Sequence, residues 1–278
     1  MVIAVVGLGL IGGSFCKALK QYTNHTVLGV EVDKMTRRNA LSSGAVDKII
    51  EPHELDKADL SIICLYPEQT IDFILDNAHH FAPKSIVIDV CGVKESIQNA
   101  VHPPLQEKDV IFIGAHPMAG REFSGFEYAT ADLFANASFV MTPHEDTPIH
   151  AVFVVSMLAE QLKFSKIVKA TPLDHDKIIA FTSQLAHIVS NAYVKSPSLE
   201  LQKGFSAGSF GDLTRVARLN EDMWSSLFTL NKDALLFELD TIINNLGEYK
   251  HALENNDADT LRKLLKDGRI LKEKSLIE

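Results

Sequence analysis

The first residues of the chain hold the pattern that most restricts its fold. A β-branched apolar run, Val2–Val6, leads into Gly7-Leu8-Gly9-Leu10-Ile11-Gly12, and helical periodicity follows. A G-x-G-x-x-G loop between a strand and a helix is typical of dinucleotide-binding folds, because its glycines permit a tight turn, a close pyrophosphate and close helix packing. The helix N-terminus adds amide groups that attract the phosphate charge. We therefore predict a cofactor-binding loop formed by Gly7, Gly9, Leu10, Ile11 and Gly12.

The nature of that cofactor is indicated by the next predicted strand, residues 26–30. It ends at Glu31, about 20 residues beyond Gly12, where this fold places a carboxylate on the adenine ribose. The same charge would repel a 2′-phosphate, so we expect NAD rather than NADP. Asp33 could share this role, and Arg37 with Arg38 could hold a 2′-phosphate if Glu31 turned away.

Strand and helix patterns alternate as far as residue 170. Alternation of this kind predicts a parallel sheet covered by helices on both faces. We expect an α/β Rossmann-type domain over residues 1–170, with a doubly wound, mostly parallel sheet. Tyr66 and Pro67 follow the predicted strand 60–65, at the edge where such sheets bind ligands, so we expect them to line the nicotinamide side. The remaining predicted strands are 48–50, 85–89, 110–113, 138–141 and 166–168.

The pattern becomes helical after residue 170. Thr171-Pro172-Leu173-Asp174 is a strong helix start, with Thr as N-cap and Pro in the first turn. The predicted second domain, residues 171–278, is all-α. Its long helices, 231–254 and 258–272, carry apolar faces that would make a poor monomer surface, so we expect a homodimer formed through this domain.

Composition narrows the range of partners. The chain has 278 residues, 46% hydrophobic and 23% charged, with a formal net charge of -9. Such a charge gives no general attraction to nucleic acid or to anionic membranes. Cys16, Cys64 and Cys91 lie in apolar contexts that suggest reduced thiols, and no apolar run approaches the roughly 20 residues of a spanning helix. We expect a cytoplasmic protein, and we expect no metal, since His79-His80 reads as a pair of cations at a helix C-terminus.

His116 is the first candidate for chemistry. It lies in Gly114-Ala115-His116-Pro117-Met118-Ala119-Gly120, after the predicted strand 110–113. Pro117 has no N–H for a ladder, so we expect pairing to stop before His116. The neighbouring glycines leave space for a ligand beside the ring. A polar residue that simply leaves the core at a strand end would give the same pattern.

Two further candidates lie in the predicted helical domain. Ser183 and His187 are spaced i, i+4 and share one helix face. Arg215 is predicted in the first turn of a helix that starts at Asp212, where a cation opposes the helix dipole. An anionic substrate could offset that charge, and so could Asp212.

Several separated motifs, in order, resemble the prephenate dehydrogenase family, which includes arogenate and cyclohexadienyl dehydrogenases. The matching segments are the loop 7–12, the turn 89–94, residues 116–120 with Glu122 and Ser124-Gly125, the helix with Ser183 and His187, and residues 211–217 followed by Met223-Trp224.

The resemblance implies NAD-dependent oxidative decarboxylation of prephenate to 4-hydroxyphenylpyruvate in tyrosine biosynthesis. His116 would take the hydroxyl proton. His187 would bind the ring carboxylate and Arg215 the side-chain carboxylate, both as charged groups. Ser183 matches another active-site serine, and Ser124 would lie at the substrate.

One position departs from the family pattern. Many members have a serine in the turn after the fifth strand, hydrogen-bonded to the catalytic histidine, and this chain has Gly92 there. Ser183, Ser124, a backbone carbonyl or water could orient His116 instead. The alternatives for the function are an arogenate dehydrogenase, a β-hydroxyacid-type dehydrogenase, or a nucleotide-sensing protein that binds the cofactor without turnover.

Overall fold

A computed structural model describes residues 1–121 and 123–276. The chain forms two compact units: the first is Met1–Asn231, and the second begins at Lys232. The helices that follow residue 170 therefore belong to the same compact unit as the sheet up to Asn231. The boundary at residue 170, which rests on the change from alternating to all-helical patterning, stays a prediction.

Within the described residues, eight strands form one sheet in the order β3-β2-β1-β4-β5-β6-β7-β8. Neighbouring strands are parallel, except that β6 and β7 are antiparallel. This confirms the predicted Rossmann-type, mostly parallel sheet. The strands are β1 Val2–Val6, β2 Thr26–Val30, β3 Lys48–Ile49, β4 Leu60–Ile63, β5 Ile86–Asp89, β6 Ile111–Pro117, β7 Ser138–Pro143 and β8 Lys166–Lys169.

The core lies on both faces of the sheet. Alternate residues of β1 show this: Ile3 and Val5 join one buried cluster, and Ala4 and Val6 join the other. A strand buried on both faces is expected when helices cover both sides of a parallel sheet. Residues of α1 Leu10–Tyr22 and α5 Ile149–Gln161 pack in the first cluster, and those of α3 Pro67–Asn77 and α4 Glu95–Gln106 in the second. The helix α2 Lys34–Ser42 follows β2.

Strand β6 is longer than predicted, so the expectation that pairing stops before His116 is wrong. The pairing with β5 ends at Gly114, but the pairing with β7 continues to Pro117, opposite Phe139. The amide of Met118 donates to Ser138, so Pro117 occupies a non-hydrogen-bonded position of the ladder. Its nitrogen therefore points away from β7, toward the side where the pairing with β5 has ended at Gly114. No carbonyl of β5 is paired there, so the missing N–H of Pro117 loses no hydrogen bond of the sheet. His116 is held by a strand rather than by a loop.

The rest of the first unit is helical. Its helices are α6 Pro172–Ile179, α7 Ala186–Tyr193, α8 Gly208–Thr214 and α9 Glu221–Leu230, with a π-helical turn, Ala180–Leu185, between α6 and α7. Arg215 follows the last residue of α8, so its predicted place in a first turn is wrong. The second unit contains α10 Lys232–Glu254 and α11 Ala258–Lys274, which pack on each other. No helix in the described residues has a stretch long and apolar enough to cross a membrane.

Candidate active site

The glycine-rich loop has the geometry that its spacing predicts. Gly7 has φ +81°, and a side chain there would lie 2.7 Å from the Cys64 carbonyl oxygen. A side chain at Gly12 would lie 1.9 Å from the Gly7 carbonyl oxygen, so only glycine lets α1 approach the turn. At Gly9, by contrast, no protein atom lies within 4 Å of an added Cβ. Packing therefore explains two of the three glycines, and Gly9 leaves open space in front of the loop.

The N-terminus of α1 faces that space. Gly9 is its N-cap and offers no side-chain cap, and no acid lies in the first turn. The first amide groups of a helix without a cap suit an anion such as a pyrophosphate. Leu10 and Ile11 carry two of these amides. The loop is thus able to bind a dinucleotide through its backbone.

Glu31 lies at the end of β2, where it was predicted. One carboxylate oxygen accepts the amide of Leu8 at 2.8 Å, and the other accepts the amides of Val32 and Asp33. The carboxylate is therefore fixed beside the glycine-rich loop. Asp33 caps α2 through the amide of Thr36, and so its carboxylate is engaged there.

Arg37 does not offer its charge to a 2′-phosphate. Its guanidinium donates to the backbone carbonyl of Glu31 and pairs with the Glu51 carboxylate at 2.7 Å. Of the two arginines considered for a 2′-phosphate, Arg38 is the one that remains, and it is exposed. At the end of β4, Tyr66 is the N-cap of α3 and is 44% exposed, while Pro67 is buried at the first helical position.

His116 is joined to two buried residues that the sequence patterns did not single out. Its Nδ1 lies 2.9 Å from Nε2 of His175, and Nδ1 of His175 lies 2.7 Å from a carboxylate oxygen of Asp176. Both partners are 3% exposed. The residue that orients His116 is thus His175, and neither Ser183 nor Ser124 hydrogen-bonds to it. A hydrogen bond to Nε2 of His116 is not found among residues 1–121 and 123–276.

Burial keeps the His116 ring neutral. Loss of solvation lowers the pKa of His116 well below its ordinary value, and the neighbouring His175 and Lys94 lower it further. Lys94 is itself fully buried and forms an ion pair with Asp89 at the end of β5. A neutral imidazole with one nitrogen held and the other unbound is suited to accept a proton.

A second group of candidates lies on the π-turn, α7 and α8. His187 donates from Nδ1 to the backbone carbonyl of Ser183 at 2.8 Å, and its ring lies 4.0 Å from that of Trp224. Burial lowers the pKa of His187 below its ordinary value, and the nearby Arg215 adds to this. The lowered pKa favours a neutral His187 in the absence of substrate. The expectation that it carries charge against a bound carboxylate stays a prediction. Arg215 is exposed and forms no ion pair within the described residues. Asp212, the alternative partner considered above, does not pair with it.

Helix α9 connects the two groups. Trp224 and Leu227 are spaced i, i+3 on one face of α9. Trp224 packs on His187, whereas Leu227 lies 3.3 Å from the Cβ position of Gly92, which is itself 3.9 Å from the His116 ring. Ser124 lies beyond β6 and is exposed. Glu122, another residue of the matching motif, is outside the described residues.

The sequence contained a usable signal for His175. A histidine in the first turn of a helix opposes the helix dipole when charged, and His175 stands there between Asp174 and Asp176. A buried, neutral histidine paired with a carboxylate would resolve that conflict. What the sequence lacked was the tertiary contact between α6 and β6 that brings this ring to His116.

One group of side chains outside this site has the residue types that bind metals. His102, His144 and Asp146 bring their ligand atoms within 4.8 Å of one another, the one such trio in the described part of the chain. Asp146 accepts hydrogen bonds from His144 at 2.6 Å and from Gln106 at 2.5 Å. His102 lies 3.3 Å from the same carboxylate, so the trio forms a hydrogen-bonded cluster around the exposed Asp146.

Comparison with known proteins decides the family. A family model described as the prephenate dehydrogenase nucleotide-binding domain matches residues 15–168, and one described as the prephenate dehydrogenase dimerization domain matches residues 171–267. The chain belongs to the prephenate dehydrogenase family. The family predicted from the motifs is confirmed, so the chain is an enzyme of the prephenate or arogenate dehydrogenase type. This assignment replaces the β-hydroxyacid-type and nucleotide-sensing alternatives.

Individual members of the prephenate dehydrogenase family resemble the chain over nearly its whole length. A prephenate dehydrogenase of Bacillus subtilis (strain 168) is 30% identical over 290 residues, which cover 99% of this chain and 78% of that protein. The Synechocystis arogenate dehydrogenase structure is 30% identical with a TM-score of 0.83, covering 99% of this chain and all of that one. A prephenate dehydrogenase from A. aeolicus in complex with hydroxyphenyl propionate and NAD+ shares the fold, with a TM-score of 0.88 at 23% identity over 99% and 98% of the two chains.

Proposed function

We propose that this enzyme converts prephenate to 4-hydroxyphenylpyruvate by NAD-dependent oxidative decarboxylation, a step of tyrosine biosynthesis. The observation that carries the proposal is the His116 imidazole, which is held at Nδ1 by His175 and unbound at Nε2 within the described residues. It lies at the end of β6, on the sheet edge where the glycine-rich loop also ends. Arogenate is the second candidate substrate, because the similar Synechocystis protein is an arogenate dehydrogenase.

His116 supplies the proton transfer. Its Nε2 takes the proton of the 4-hydroxyl while the ring carboxylate leaves as carbon dioxide and the ring becomes aromatic. The bound NAD would supply the hydride acceptor for the ring carbon that bears that hydroxyl. General-base catalysis contributes roughly 10²- to 10⁴-fold. Because burial holds the pKa of His116 below its ordinary value, the base is ready at neutral pH.

The nucleotide-binding loop and Glu31 would hold NAD. Gly7, Gly9, Leu10, Ile11 and Gly12 form the pyrophosphate cradle, and the Glu31 carboxylate, fixed by the Leu8 amide, would accept the ribose hydroxyls. The engagement of Arg37 by Glu51 supports NAD over NADP. Tyr66 and Pro67, at the end of β4, would line the nicotinamide side.

Arg215 and His187 would anchor the two carboxylates of prephenate. The guanidinium of Arg215 offers a bidentate fork to the side-chain carboxylate. His187 already donates from Nδ1 to Ser183, so only a protonated Nε2 can donate to the ring carboxylate. Substrate binding would therefore take up a proton at His187. Ser183, beside it, and Ser124, in the loop after β6, are the further predicted contacts.

The enzyme would be a cytoplasmic homodimer. A homodimer formed through the helical part of the chain is supported by the match to a dimerization domain and by the exposed apolar residues of α11, Leu265 and Leu271. The three cysteines form no disulfide, which supports a reducing compartment, the cytoplasm.

The test is direct. NADH absorbance is followed after prephenate or arogenate is added with NAD or with NADP. We expect turnover with prephenate and NAD, and faster turnover with arogenate would reassign the substrate. In the His116→Asn variant, kcat should fall roughly 10²- to 10⁴-fold with little change in KM. An unchanged kcat in this variant would remove His116 from proton transfer.

A further inference from the structure

We infer that His175 and Asp176 are positioning residues, which fix the tautomer of His116 so that its Nε2 carries the lone pair. This inference rests on the proposed function of His116 as the base. His175 bonds directly to Nδ1 of His116, and Asp176 acts through His175, in a chain that has Gly92 where the family pattern has a serine.

The direction of each hydrogen bond starts from Asp176. Its carboxylate accepts the amides of Lys94 and Glu95, at 2.8 and 2.9 Å, at the N-terminus of α4. A carboxylate offers acceptor oxygens and has no hydrogen to donate. It can then only accept from His175, so Nδ1 of His175 carries the hydrogen and Nε2 carries a lone pair.

The donor and acceptor roles of His116 follow from those of His175. Because Nε2 of His175 accepts at 2.9 Å, Nδ1 of His116 must donate. The remaining nitrogen of His116, Nε2, is left with its lone pair toward the substrate side. If His175 instead donated to His116, the proton of His116 would sit on Nε2 and the ring could not act as a base. The tautomer of a histidine is in general set by the bond that its other nitrogen makes.

The surrounding structure holds this pair firmly. Asp176 is 3% exposed, and its backbone carbonyl accepts from Asn231 at 2.8 Å, which in turn bonds to Gln184 on the π-turn. Among the described residues, the other charged group that acts on the His116 ring is Lys94, which is fully buried and paired with Asp89. Asp176 also caps α4, and capping alone is the competing explanation for its burial.

The variant Asp176→Asn leaves one acceptor oxygen for three donors, the amides of Lys94 and Glu95 and Nδ1 of His175. The tautomer of His116 separates the two explanations, because capping alone predicts no change in it. An amide nitrogen toward His175 would reverse both hydrogen bonds and move the proton of His116 to Nε2. The readout is the ¹⁵N NMR spectrum of labelled imidazoles, with His116 assigned from its loss in His116→Asn. We expect His116 protonated at Nδ1 in the wild type and at Nε2 in Asp176→Asn, and kcat lowered roughly 10²- to 10⁴-fold at nearly constant KM.

Controls address stability and geometry. Asp257→Asn makes the same substitution at an exposed aspartate, the N-cap of α11, which accepts the Thr260 amide at 3.0 Å, and it should leave kcat unchanged. His175→Gln keeps an acceptor near the position of Nε2 and should retain far more activity than His175→Leu. This pair tests the inference if Asp176→Asn fails to fold.

The outcomes are distinct from those of the proposed function. If neither prephenate nor arogenate is turned over, the function fails, but the NMR result still tests the tautomer. Wild-type His116 protonated at Nε2, an Asp176→Asn variant with an unmoved proton, or equal activity of His175→Gln and His175→Leu would each overturn the inference.

Discussion

Replacing Arg215 by alanine should weaken prephenate binding strongly and leave the fold intact. Arg215 is exposed at the end of α8 and forms no ion pair within the described residues, so its loss breaks none there. A hydrogen bond to a charged group contributes roughly 1.5 to 3 kcal/mol. Since 1.4 kcal/mol corresponds to a tenfold change, KM for prephenate should rise roughly 10- to 150-fold.

The assay is steady-state kinetics with prephenate varied and NAD saturating. Arg215→Lys keeps the charge but loses the planar fork, so its KM should fall between those of the wild type and Arg215→Ala. Arg218→Ala is the matched control, because Arg218 is exposed three residues further along the same segment and should leave KM unchanged. A KM for Arg215→Ala within about threefold of the wild type, or an equal effect of Arg218→Ala, would refute the assignment.

Three further predictions concern the cofactor, the turn after β5 and pH. Glu31→Gln removes the charge that disfavours a 2′-phosphate, so the ratio of kcat/KM for NAD over NADP should fall at least about tenfold; an unchanged ratio in parallel assays would count against Glu31. Gly92→Ser places its Cβ 3.3 Å from a methyl of Leu227 and should cost about 1 kcal/mol in denaturant unfolding. It should change kcat by less than about threefold, because Nδ1 of His116 already has its partner, and a large gain would contradict that reasoning. The folded pKa of His116 lies below the ordinary value of 6.5, so the unfolded state takes up the proton first. Its contribution to stability is complete above pH 6.5 and is lost as pH falls below it, by up to about 1.4 kcal/mol per pH unit. Below pH 6.5 the unfolding free energy of the wild type should therefore fall more steeply than that of His116→Asn, and parallel curves would be inconsistent with a lowered pKa.

The sequence predicted the sheet well because its signals are local. The strand starting at Val2, the loop at Gly7 and the carboxylate at Glu31 are each set by neighbours in the chain, and the structure brings them together as predicted. β6 was predicted too short because Pro117 was judged without its antiparallel partner. The pairing with β7 continues to Pro117 and the pairing with β5 ends at Gly114, so the missing N–H of Pro117 loses no hydrogen bond of the sheet.

Arg215 was misplaced for a similar reason. Gly208 and Gly211 disfavour helix by roughly 1 kcal/mol each, and the predicted helix therefore started after them, at Asp212. In the structure α8 contains both glycines, and the Phe210 ring lies 6.2 Å from that of Tyr193 on α7. Tertiary packing thus overrides local propensity. The consequence is favourable for the site, since a cation at a helix C-terminus is stabilised by the dipole that would have opposed it at the start.

The proposed site needs a neutral base and a cation that attracts the substrate, and these lie on a buried strand and at an exposed helix end, respectively. A base must stay neutral, and His116 does so because a strand buries it beside positive Lys94 and because His175 accepts its hydrogen. In the proposed function a dianion must be attracted, and the exposed Arg215 would do so from a helix end, where it stays solvated. Burying the Arg215 guanidinium beside Lys94 would have added the desolvation of a second cation and the repulsion between the two. In the proposed function this separation would also allow a chain with a net charge of -9 to bind a dianion, because attraction is needed only where Arg215, and His187 once protonated, would face the substrate.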